Sequence, residues 1–552
     1  MTRHHFKSGF RQLSPLFTPC IGALLIAAPL TTLAETQRDE AMVRMRDGVM
    51  LNSDLYRPSG VGPWPVIVAR TPYNKRSSGS LGTNGVERGY AVVIQDVRGR
   101  FSSQGANIPF DRDIEDGSDT LKWISQQAWC NGRIGSVGGS AGAITQLHLA
   151  ASGAPELTCQ HLVVGGPSLY HDIVYTGGIF RKALVEDWLR LSSFAPEALK
   201  AWTSHPAYDD YWRARDASIH YAKVHTPAIH VGGYWDIFAQ GTIDTFLGYQ
   251  EHGGLGARGK QKLVMGPWTH GVLQDKAGEL TFPNAKKPPG DVHDSWRWFE
   301  RWLKGVANGA DETPTVTYYV IGDTTQGVSA PGNIWRTAST WPPVSTTATA
   351  YFLGAQRTLD PTAPPKSSPL SFNFDPSNPA PTLGGVQLTL SAGPVDQRKL
   401  DNRPDVLVFT TAPLQKPTEV TGRIHARLWI SSTATDTDFF ATLCDVYPDG
   451  RAFNLCEGRK RMRFRNSLSK EELLNPGQVY PVDLDLWSTS AIFNTGHRIR
   501  LQITSSSSPG FDVNPNTGDP FRANSTTVVA TNTIHIGGAT PSQVVLPIAT
   551  AP

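Results

Sequence analysis

Six short apolar runs recur in the first half of the chain, and helix-like sequence separates them. The runs are Val66-Ile67-Val68-Ala69, Tyr90 to Gln95, Ile134 to Val137, Leu162-Val163-Val164, Ala228 to Val231 and Leu263-Val264-Met265. Continuous apolar runs of this length predict strands that are buried on both faces. Helical character over Glu115 to Gln127 and Ala143 to Ala151 places helices between them. The pattern predicts an α/β fold with a mainly parallel sheet covered by helices on both sides.

One connection between predicted strands is much longer than the others. From about Gly165 to Lys223 the chain carries aromatic, helix-like sequence before the next strand begins. A long insertion at the carboxyl end of a sheet predicts a helical cap over a cleft, here residues 166–223. An aromatic packing layer is the other interpretation of the same segment, and one set of helices can serve both purposes.

The character of the sequence changes after the helix-like segment from Asp294 to Val306. Thr, Ser, Pro, Gly and alternating strand patterns dominate from there to the end. At 552 residues the chain exceeds the usual size of one domain. We therefore expect an α/β core over residues 35–312 and a separate all-β domain, a sandwich or jelly roll, over residues 313–552.

The N-terminal residues carry a targeting signal. Basic residues precede an apolar stretch from Ile21 to Leu30, and small residues follow at Thr32-Leu33-Ala34. This arrangement predicts a signal peptide over residues 1–34 and a secreted or periplasmic mature protein. A permanent membrane anchor is the alternative, and no later segment approaches the length of a membrane span.

Four cysteines follow the predicted signal peptide. Cys444 and Cys456 flank the turn signal Tyr447-Pro448-Asp449-Gly450, which is compatible with a disulfide across a hairpin and would leave Cys130 and Cys159 as a second pair. Four buried thiols are the alternative.

Because no CxxC motif or histidine cluster accompanies these positions, the sequence predicts no metal site and no cofactor.

The overall charge excludes one class of partner. A net charge of +3 with 39% apolar residues gives no electrostatic argument for nucleic acid binding, so a small-molecule partner is expected.

Arginines recur at alternate positions late in the chain, at Arg459, Arg461, Arg463 and Arg465. On one strand they would share a face, which indicates either a phosphate patch or, more commonly, a solvated surface.

The segment Gly138-Gly139-Ser140-Ala141-Gly142 has the form GxSxG and lies between a predicted strand and a predicted helix. In that context the motif is typical of a nucleophile elbow, in which a tight turn lifts the serine hydroxyl above the sheet. The following amide, that of Ala141, would point at a developing oxyanion. The sequence therefore predicts Ser140 as a nucleophile, whereas an ordinary Gly-rich turn is the structural alternative.

A nucleophilic serine needs a base and an acid that orients the base. In folds of this kind they follow in the order Ser, Asp or Glu, then His. Asp236 follows the fifth apolar run and His270 follows the sixth, so both are expected at the carboxyl edge of the sheet beside Ser140. The sequence predicts Ser140, Asp236 and His270 as a catalytic triad.

The second oxyanion donor should come from the loop after the first run, Arg70 to Lys75. Pro72 has no backbone N–H to donate. The phenol of Tyr73 can stabilise an oxyanion without carrying a charge, so we predict Tyr73 and the amide of Ala141 as the oxyanion hole. Packing at the floor of the cleft is the alternative role for Tyr73.

The chain resembles the cocaine esterase and X-Pro dipeptidyl-peptidase family, which also contains α-amino acid ester hydrolases and cephalosporin (glutaryl) acylases. The similar segments are Arg70 to Lys75, Gln95 to Gly99, Trp129 to Gly135, His205 to Trp212, Gly233 to Asp236 and Gly266 to His270. The resemblance implies an α/β-hydrolase core, a helical cap and a C-terminal jelly-roll, galactose-binding-like domain. It also implies Ser140, Asp236 and His270 as the triad and Tyr73 as the side-chain oxyanion donor.

Two details depend on this resemblance. The family usually has Tyr directly after the nucleophile and Gly two residues later, whereas this chain has Ala141 and Ala143, so the packing of the elbow should differ. Asp96 and Arg98 fall in a segment that we interpret as an internal ion pair.

The three residues after the catalytic acid predict the substrate class. In α-amino acid ester hydrolases, acidic residues behind the equivalent Asp help to bind the substrate ammonium group, but Ile237, Phe238 and Ala239 stand here. An ammonium group would lose water there without gaining a partner. We therefore expect a carboxylesterase that prefers an uncharged acyl group, with amides slower. Ionisable cap residues could change this preference, namely Glu186, Asp187, Asp209 and Asp210 for an ammonium group and Arg181, Lys182 and Arg190 for a glutaryl group.

Several alternatives stay open at this point. Within the family they are an X-Pro dipeptidyl-peptidase and a cephalosporin or glutaryl acylase. Outside enzymes, the alternative is a secreted ligand-binding protein with an inert core. The oligomeric state is not predicted.

Overall fold

The computed structural model describes residues 37–550. The predicted signal peptide, residues 1–34, lies outside the described residues, so export of the protein stays a prediction. Within residues 37–550, no helix is both long enough and apolar enough to cross a membrane.

The first half of the described chain alternates strands with helices. Its strands are β1 (Gln37–Arg44), β2 (Met50–Arg57), β3 (Trp64–Thr71), β4 (Ala91–Asp96), β5 (Cys130–Gly139), β6 (Leu157–Val163), β7 (Tyr175–Thr176), β8 (Ile179–Phe180), β9 (Ala228–Gly233), β10 (Lys262–Gly266), β11 (Lys276–Ala277), β12 (Leu280–Thr281), β13 (Val316–Val320) and β14 (Ile334–Ala338). Its α-helices are α1 (Gly79–Glu87), α2 (Asp113–Ser125), α3 (Ala141–Ala151), α4 (Lys182–Leu191), α5 (Pro196–Thr203), α6 (Asp210–Arg213), α7 (Ala239–His252) and α8 (Ser295–Lys304).

Ten of these strands form one sheet in the order β1-β2-β4-β3-β5-β6-β9-β10-β13-β14. The strands from β4 to β13 along this order run parallel, and antiparallel strands complete both edges. Each of the six predicted apolar runs coincides, to within one residue at an end, with part of a parallel strand of this sheet. The predicted α/β fold is confirmed.

Alternate residues of β3 show why the sheet needs helices on both faces. Val66 and Val68 pack with residues of α2, α3 and α7, whereas Ile67 packs on the opposite face with residues of α1 and α8. Both faces of the strand are therefore buried, as its continuous apolar sequence predicts.

The cap is the connection between β6 and β9. It contains α4, α5, α6, a π-helical turn over Leu169–Val174 and a 3-10 helix over Ala217–Lys223. Its aromatic residues form one buried cluster, in which Trp202 and Trp212 are almost fully enclosed. The same cluster includes residues that face Ser140, so the aromatic segment both packs the cap and covers the cleft.

The C-terminal strands are all antiparallel. They are β15 (Thr346–Leu353), β16 (Leu359–Asp360), β17 (Leu370–Phe374), β18 (Leu407–Thr410), β19 (Thr418–Ser432), β20 (Asp438–Val446), β21 (Ala452–Arg461), β22 (Tyr480–Phe493), β23 (Arg498–Thr504), β24 (Ala530–His535) and β25 (Gln543–Ala549). They form a seven-stranded and a four-stranded sheet. The predicted boundary at residue 312 precedes β13 and β14, which still belong to the central sheet.

Of the two alternatives for the cysteines, the structure shows free thiols, because all four cysteines of the described chain are free. Cys456 lies opposite Leu443 in the β20–β21 pair, whereas Cys444 lies opposite Asn454. Successive residues of a strand point to opposite faces, and the two thiols accordingly belong to different apolar clusters. On neighbouring strands β5 and β6, Cys159 pairs with Gly135 rather than with Cys130.

The arginine series forms neither a phosphate patch nor a solvated face. Strand β21 ends at Arg461, and the following residues turn into a short 3-10 helix, so the four side chains do not share one face. Each guanidinium is buried beside a carboxylate: Arg459 with Glu457, Arg461 with Asp438, Arg463 with Asp436 and Arg465 with Glu472.

Asp96 and Arg98 do not pair with each other. The Asp96 carboxylate accepts the backbone N–H of Lys75 at 2.7 Å, and burial raises the pKa of Asp96 to about 6. Arg98 instead forms two hydrogen bonds with Asp116, at 2.6 and 2.9 Å. Asp96 therefore supports the loop that follows β3, whereas Arg98 ties its own segment to α2.

Candidate active site

The four side chains predicted for catalysis come together at the carboxyl edge of the central sheet. Ser140 directly follows β5, Asp236 lies three residues beyond β9, and His270 lies four residues beyond β10. Tyr73 lies two residues beyond β3. Because these strands are parallel, their ends meet at one edge, so residues far apart in sequence become neighbours.

Ser140 occupies a sharp turn between β5 and α3. Its backbone has φ 56° and ψ −128°, a conformation that non-glycine residues rarely adopt and that costs about 1–3 kcal/mol. A Cβ at Gly138 would lie 2.1 Å from the Gly142 carbonyl oxygen, so the turn requires glycine there. Strain held in this way is typical of functional turns, and it lifts the Ser140 hydroxyl clear of the sheet.

The two alanines that distinguish this elbow from the family pattern are both buried. A Cβ at Gly165 would lie only 2.8 Å from the Cβ of Ala143, so the glycine at 165 makes room for the methyl group of Ala143. Ala141 packs in the apolar cluster beneath the cap. The substitutions therefore change the packing of the elbow and leave its backbone turn in place.

A hydrogen-bonded chain joins the three side chains. His270 Nε2 lies 2.8 Å from Ser140 Oγ, and His270 Nδ1 lies 2.6 Å from Asp236 Oδ2. The Asp236 side chain is fully buried, and its other oxygen accepts the Phe238 N–H at 2.8 Å. Both carboxylate oxygens are thus engaged, which fixes the carboxylate and, through it, the imidazole.

The two donors predicted for a tetrahedral oxyanion are the backbone N–H of Ala141 and the phenol of Tyr73. The N–H of Ala141 is the first of α3 and has no intrahelical acceptor. Desolvation raises the pKa of Tyr73 above its ordinary value, against smaller lowering effects of the Trp188 indole and the Ser140 hydroxyl. The phenol therefore keeps its proton at neutral pH and can donate it in a hydrogen bond.

A narrow cavity of about 20 Å³ adjoins Ser140. Apart from Ser140, its wall consists of apolar side chains from the core, the cap and the C-terminal domain: Phe110, Ala141, Ile144, Ile173, Leu184, Val185, Trp188, Ile237, Phe238 and Leu388. None of these residues is ionisable. An acyl group bound to Ser140 would therefore meet only apolar contacts in this cavity.

The acidic cap residues that could bind an ammonium group lie outside this cavity and have other partners. Glu186 pairs with Arg522 at 2.8 Å, Asp187 with Arg190 at 3.0 Å, Asp209 with His205 at 2.6 Å and Asp210 with Arg213 at 3.0 Å. Since each carboxylate is already paired, none is directed at Ser140.

The basic cap residues that could bind a glutaryl carboxylate are also directed elsewhere. Arg181 is buried and donates to the carbonyl oxygens of Asp172, Ile237 and Val386 at 2.7, 3.1 and 2.9 Å. Lys182 is exposed at the start of α4, and Arg190 pairs with Asp187. No cation of the described chain contributes to the wall of the acyl cavity.

The sequence did not single out several residues of this site. Leu388 reaches the cavity from the C-terminal domain, and no local pattern connects it with a serine almost 250 residues earlier. Phe110 precedes α2 and stacks on Trp188 with ring centroids 5.8 Å apart. Trp188 belongs to the aromatic cap segment, but only the structure shows that its indole contacts Tyr73.

Comparison with known proteins identifies the family. The model for X-Pro dipeptidyl-peptidase (S15 family) matches residues 47–198 and 189–272, and the model for the X-Pro dipeptidyl-peptidase C-terminal non-catalytic domain matches residues 308–545. Cocaine esterase of Rhodococcus sp. (strain MB1 Bresler) is 34% identical over 92% of this chain and 97% of its own length. The chain belongs to the cocaine esterase and X-Pro dipeptidyl-peptidase family. It is a serine hydrolase, and the resemblance predicted from its signature segments is confirmed.

Solved structures show the same fold. An aminopeptidase from a marine sediment Thaumarchaeota archaeon superposes with a TM-score of 0.79 at 24% identity, covering 95% of this chain and 98% of that chain. An α-amino acid ester hydrolase superposes with a TM-score of 0.75 at 23% identity, covering 95% of this chain and 100% of that chain. At these identities the likeness concerns the fold and not the substrate.

Proposed function

We propose that this serine hydrolase is a carboxylesterase that transfers an uncharged acyl group to Ser140 and then to water. The observation that carries the proposal is the acyl cavity, whose wall beyond Ser140 is entirely apolar. Burying an ammonium or carboxylate group among such side chains costs several kcal/mol, because no partner replaces the lost water. The apolar part of an acyl group instead gains free energy from contact with these side chains.

In the proposed reaction, His270 Nε2 accepts the Ser140 proton while Oγ attacks the ester carbonyl carbon. The Ala141 N–H and the Tyr73 hydroxyl stabilise the oxyanion of the tetrahedral intermediate. His270 then protonates the leaving alcohol, which departs and leaves an acyl group on Oγ. Water attacks this acyl-enzyme by the same route and releases the carboxylic acid.

Asp236 has a separate role in this scheme. Its carboxylate holds the proton of His270 on Nδ1, so that Nε2 presents a lone pair to Ser140. It also stabilises the imidazolium that forms when His270 takes the serine proton. The 2.6 Å contact and the full burial of the carboxylate support this role.

A matched pair of esters tests the proposed substrate class. Methyl phenylacetate and phenylglycine methyl ester differ only in the α-ammonium group, so their kcat/KM ratio isolates the effect of that charge. We expect a preference of about a hundredfold or more for the uncharged ester. Ser140→Ala provides the background rate.

Charged and peptide-like substrates test the alternatives within the family. Ala-Pro-p-nitroanilide represents an X-Pro dipeptidyl-peptidase, and a glutaryl amide represents an acylase. A kcat/KM for phenylglycine methyl ester, Ala-Pro-p-nitroanilide or the glutaryl amide above that for methyl phenylacetate would contradict the proposal and assign the corresponding activity.

A further inference from the structure

Arg100 is a buried cation between the loop that carries Tyr73 and the end of the cap helix α4. Its side chain is 5% exposed. Nε donates to the carbonyl oxygen of Pro72 at 2.9 Å, Nη1 to that of Ser193 at 2.9 Å and Nη2 to that of Ser192 at 2.5 Å. One guanidinium therefore bridges two chain segments that are far apart in sequence.

The partners of Arg100 are carbonyl groups rather than a carboxylate. No carboxylate of the described residues forms an ion pair with it, and its guanidinium lies 4.1 Å from the centroid of the Phe194 ring. Ser192 and Ser193 follow the last residue of α4, where backbone carbonyls lack intrahelical donors and the helix dipole is negative. Charge-assisted hydrogen bonds to these carbonyls fix the end of α4 relative to Pro72.

Trp188 connects the same helix directly to the Tyr73 side chain. Its Nε1 donates a hydrogen bond to the Tyr73 hydroxyl oxygen at 2.8 Å. An indole N–H can only donate, so the Tyr73 oxygen must be the acceptor. The single proton of the Tyr73 hydroxyl is thereby left free to be donated toward the position of the oxyanion beside Ser140.

These contacts close a ring. Arg100 contacts Pro72, the neighbour of Tyr73, and the Tyr73 hydroxyl contacts Trp188. Trp188 lies on α4, and the carbonyls just beyond the end of α4 contact Arg100 again. We propose that Arg100 and Trp188 are positioning residues that act on the reaction through Tyr73, holding its phenol in place and its proton directed at the oxyanion. This inference rests on the proposed function, because it assumes that Tyr73 is an oxyanion donor.

Trp188 also lines the acyl cavity, so a simple loss of activity on mutation would not prove a role through Tyr73. A double-mutant cycle separates the two roles. Trp188→Phe keeps an aromatic ring in the cavity wall and removes the indole N–H. If Trp188 acts through the phenol, its replacement should have little further effect once Tyr73→Phe has removed the hydroxyl.

The experiment measures kcat and KM for p-nitrophenyl butyrate in the parent, Trp188→Phe, Tyr73→Phe and the double variant. We expect Trp188→Phe to lower kcat about tenfold, the effect of one hydrogen bond, with KM changed less than about threefold. In the Tyr73→Phe background the same change should alter kcat less than about twofold. Trp202→Phe is the matched control, because that indole stacks on Trp188 at 6.1 Å without contacting Tyr73.

Arg100→Lys gives the second arm, with Arg98→Lys as a control for replacing a buried arginine in the same segment. Lys keeps the charge of Arg100, but its single nitrogen cannot reproduce the planar fork in which three separate nitrogens each reach a different carbonyl oxygen. We expect kcat to fall about tenfold for Arg100→Lys and the loss to shrink to about twofold in the Tyr73→Phe background. If Arg100→Lys does not fold, as judged by its thermal unfolding, the Trp188 cycle still decides the proposal.

Equal losses with and without the Tyr73 hydroxyl would overturn the inference and assign Trp188 and Arg100 to packing alone. A Tyr73→Phe variant with the parent kcat would instead refute Tyr73 as an oxyanion donor, and with it both the proposed mechanism and this inference. The two failures are therefore distinguishable from one data set.

Discussion

Replacement of Asp236 by Asn tests how the buried carboxylate controls His270. In the structure, Asp236 Oδ1 accepts the Phe238 N–H at 2.8 Å, and Oδ2 lies 2.6 Å from His270 Nδ1. The amide oxygen of Asn must stay on the Phe238 N–H, because an NH2 group there would face another donor. The NH2 group of Asn then faces His270 Nδ1, which has to become an acceptor.

An imidazole whose Nδ1 accepts a hydrogen bond carries its proton on Nε2. In this tautomer a proton, not a lone pair, faces the Ser140 hydroxyl 2.8 Å away. His270 can then no longer take the serine proton, although no atom has moved. The same change in a Ser-His-Asp triad lowers kcat about 10⁴-fold, so we expect a loss of about 5 kcal/mol of transition-state stabilisation.

The assay is steady-state hydrolysis of p-nitrophenyl butyrate, with thermal unfolding to show that the variant is folded. Asp244→Asn is the control, because the partly exposed Asp244 carboxylate is also held by two partners, Gln240 at 2.8 Å and Arg423 at 3.2 Å, but does not contact His270. We expect the control to keep kcat within about twofold. A kcat for Asp236→Asn within about tenfold of the parent would refute the tautomer argument.

Two further predictions concern activity and stability. Ser140→Ala should lower kcat by about a millionfold with an unchanged melting temperature, and activity within about tenfold of the parent would move the nucleophile elsewhere. Burial raises the pKa of Asp172 to about 7, so the folded protein binds this proton more tightly than the unfolded chain does. The protonated carboxyl therefore contributes to the free energy of unfolding at low pH, and the contribution is lost as the pH rises through about 7. Asp172→Asn should therefore raise the melting temperature by a few degrees, ~2–4 °C, at pH 8 and change it little at pH 4, and an equal shift at both pH values would contradict the assignment.

The local pattern predicted the central sheet, and with it the positions of Ser140, Asp236 and His270, because each strand and the residue just beyond its end are close together in sequence. A strand buried on both faces shows as a continuous apolar run, such as Val66 to Ala69. Parallel strand order then brings the residues after β5, β9 and β10 to one edge, so Ser140, Asp236 and His270 could be placed together before any distance was known.

The errors arise where register or tertiary packing decides. The sequence shows the turn between Cys444 and Cys456, but a bulge between Leu443 and Cys444 sets which residues face each other, and its position is not readable from composition. The arginine series favoured a surface because charged residues are rarely buried alone. The carboxylate partners are distant in sequence. Asp438 lies on the neighbouring strand, 23 residues before Arg461. Asp436 lies in the loop before that strand, 27 residues before Arg463.

Contacts between distant segments were equally out of reach. Leu388 enters the acyl cavity from the C-terminal domain, and Arg100 joins Pro72 to the end of α4. Neither residue belongs to a motif, and both roles depend on how separate parts of the fold pack against each other. The sequence therefore located the candidate catalytic groups but not Leu388, which lines the cavity beside Ser140, or Arg100, which contacts the loop of Tyr73.

The most direct test of the mechanism is covalent labelling of the folded protein by a fluorophosphonate, with the adduct located by peptide mass spectrometry. The proposed mechanism predicts one adduct per chain on Ser140, formed rapidly by the parent and only slowly by His270→Ala, because the serine needs its base. A folded parent protein that remains unlabelled, or one labelled on another residue, would contradict Ser140 as the nucleophile.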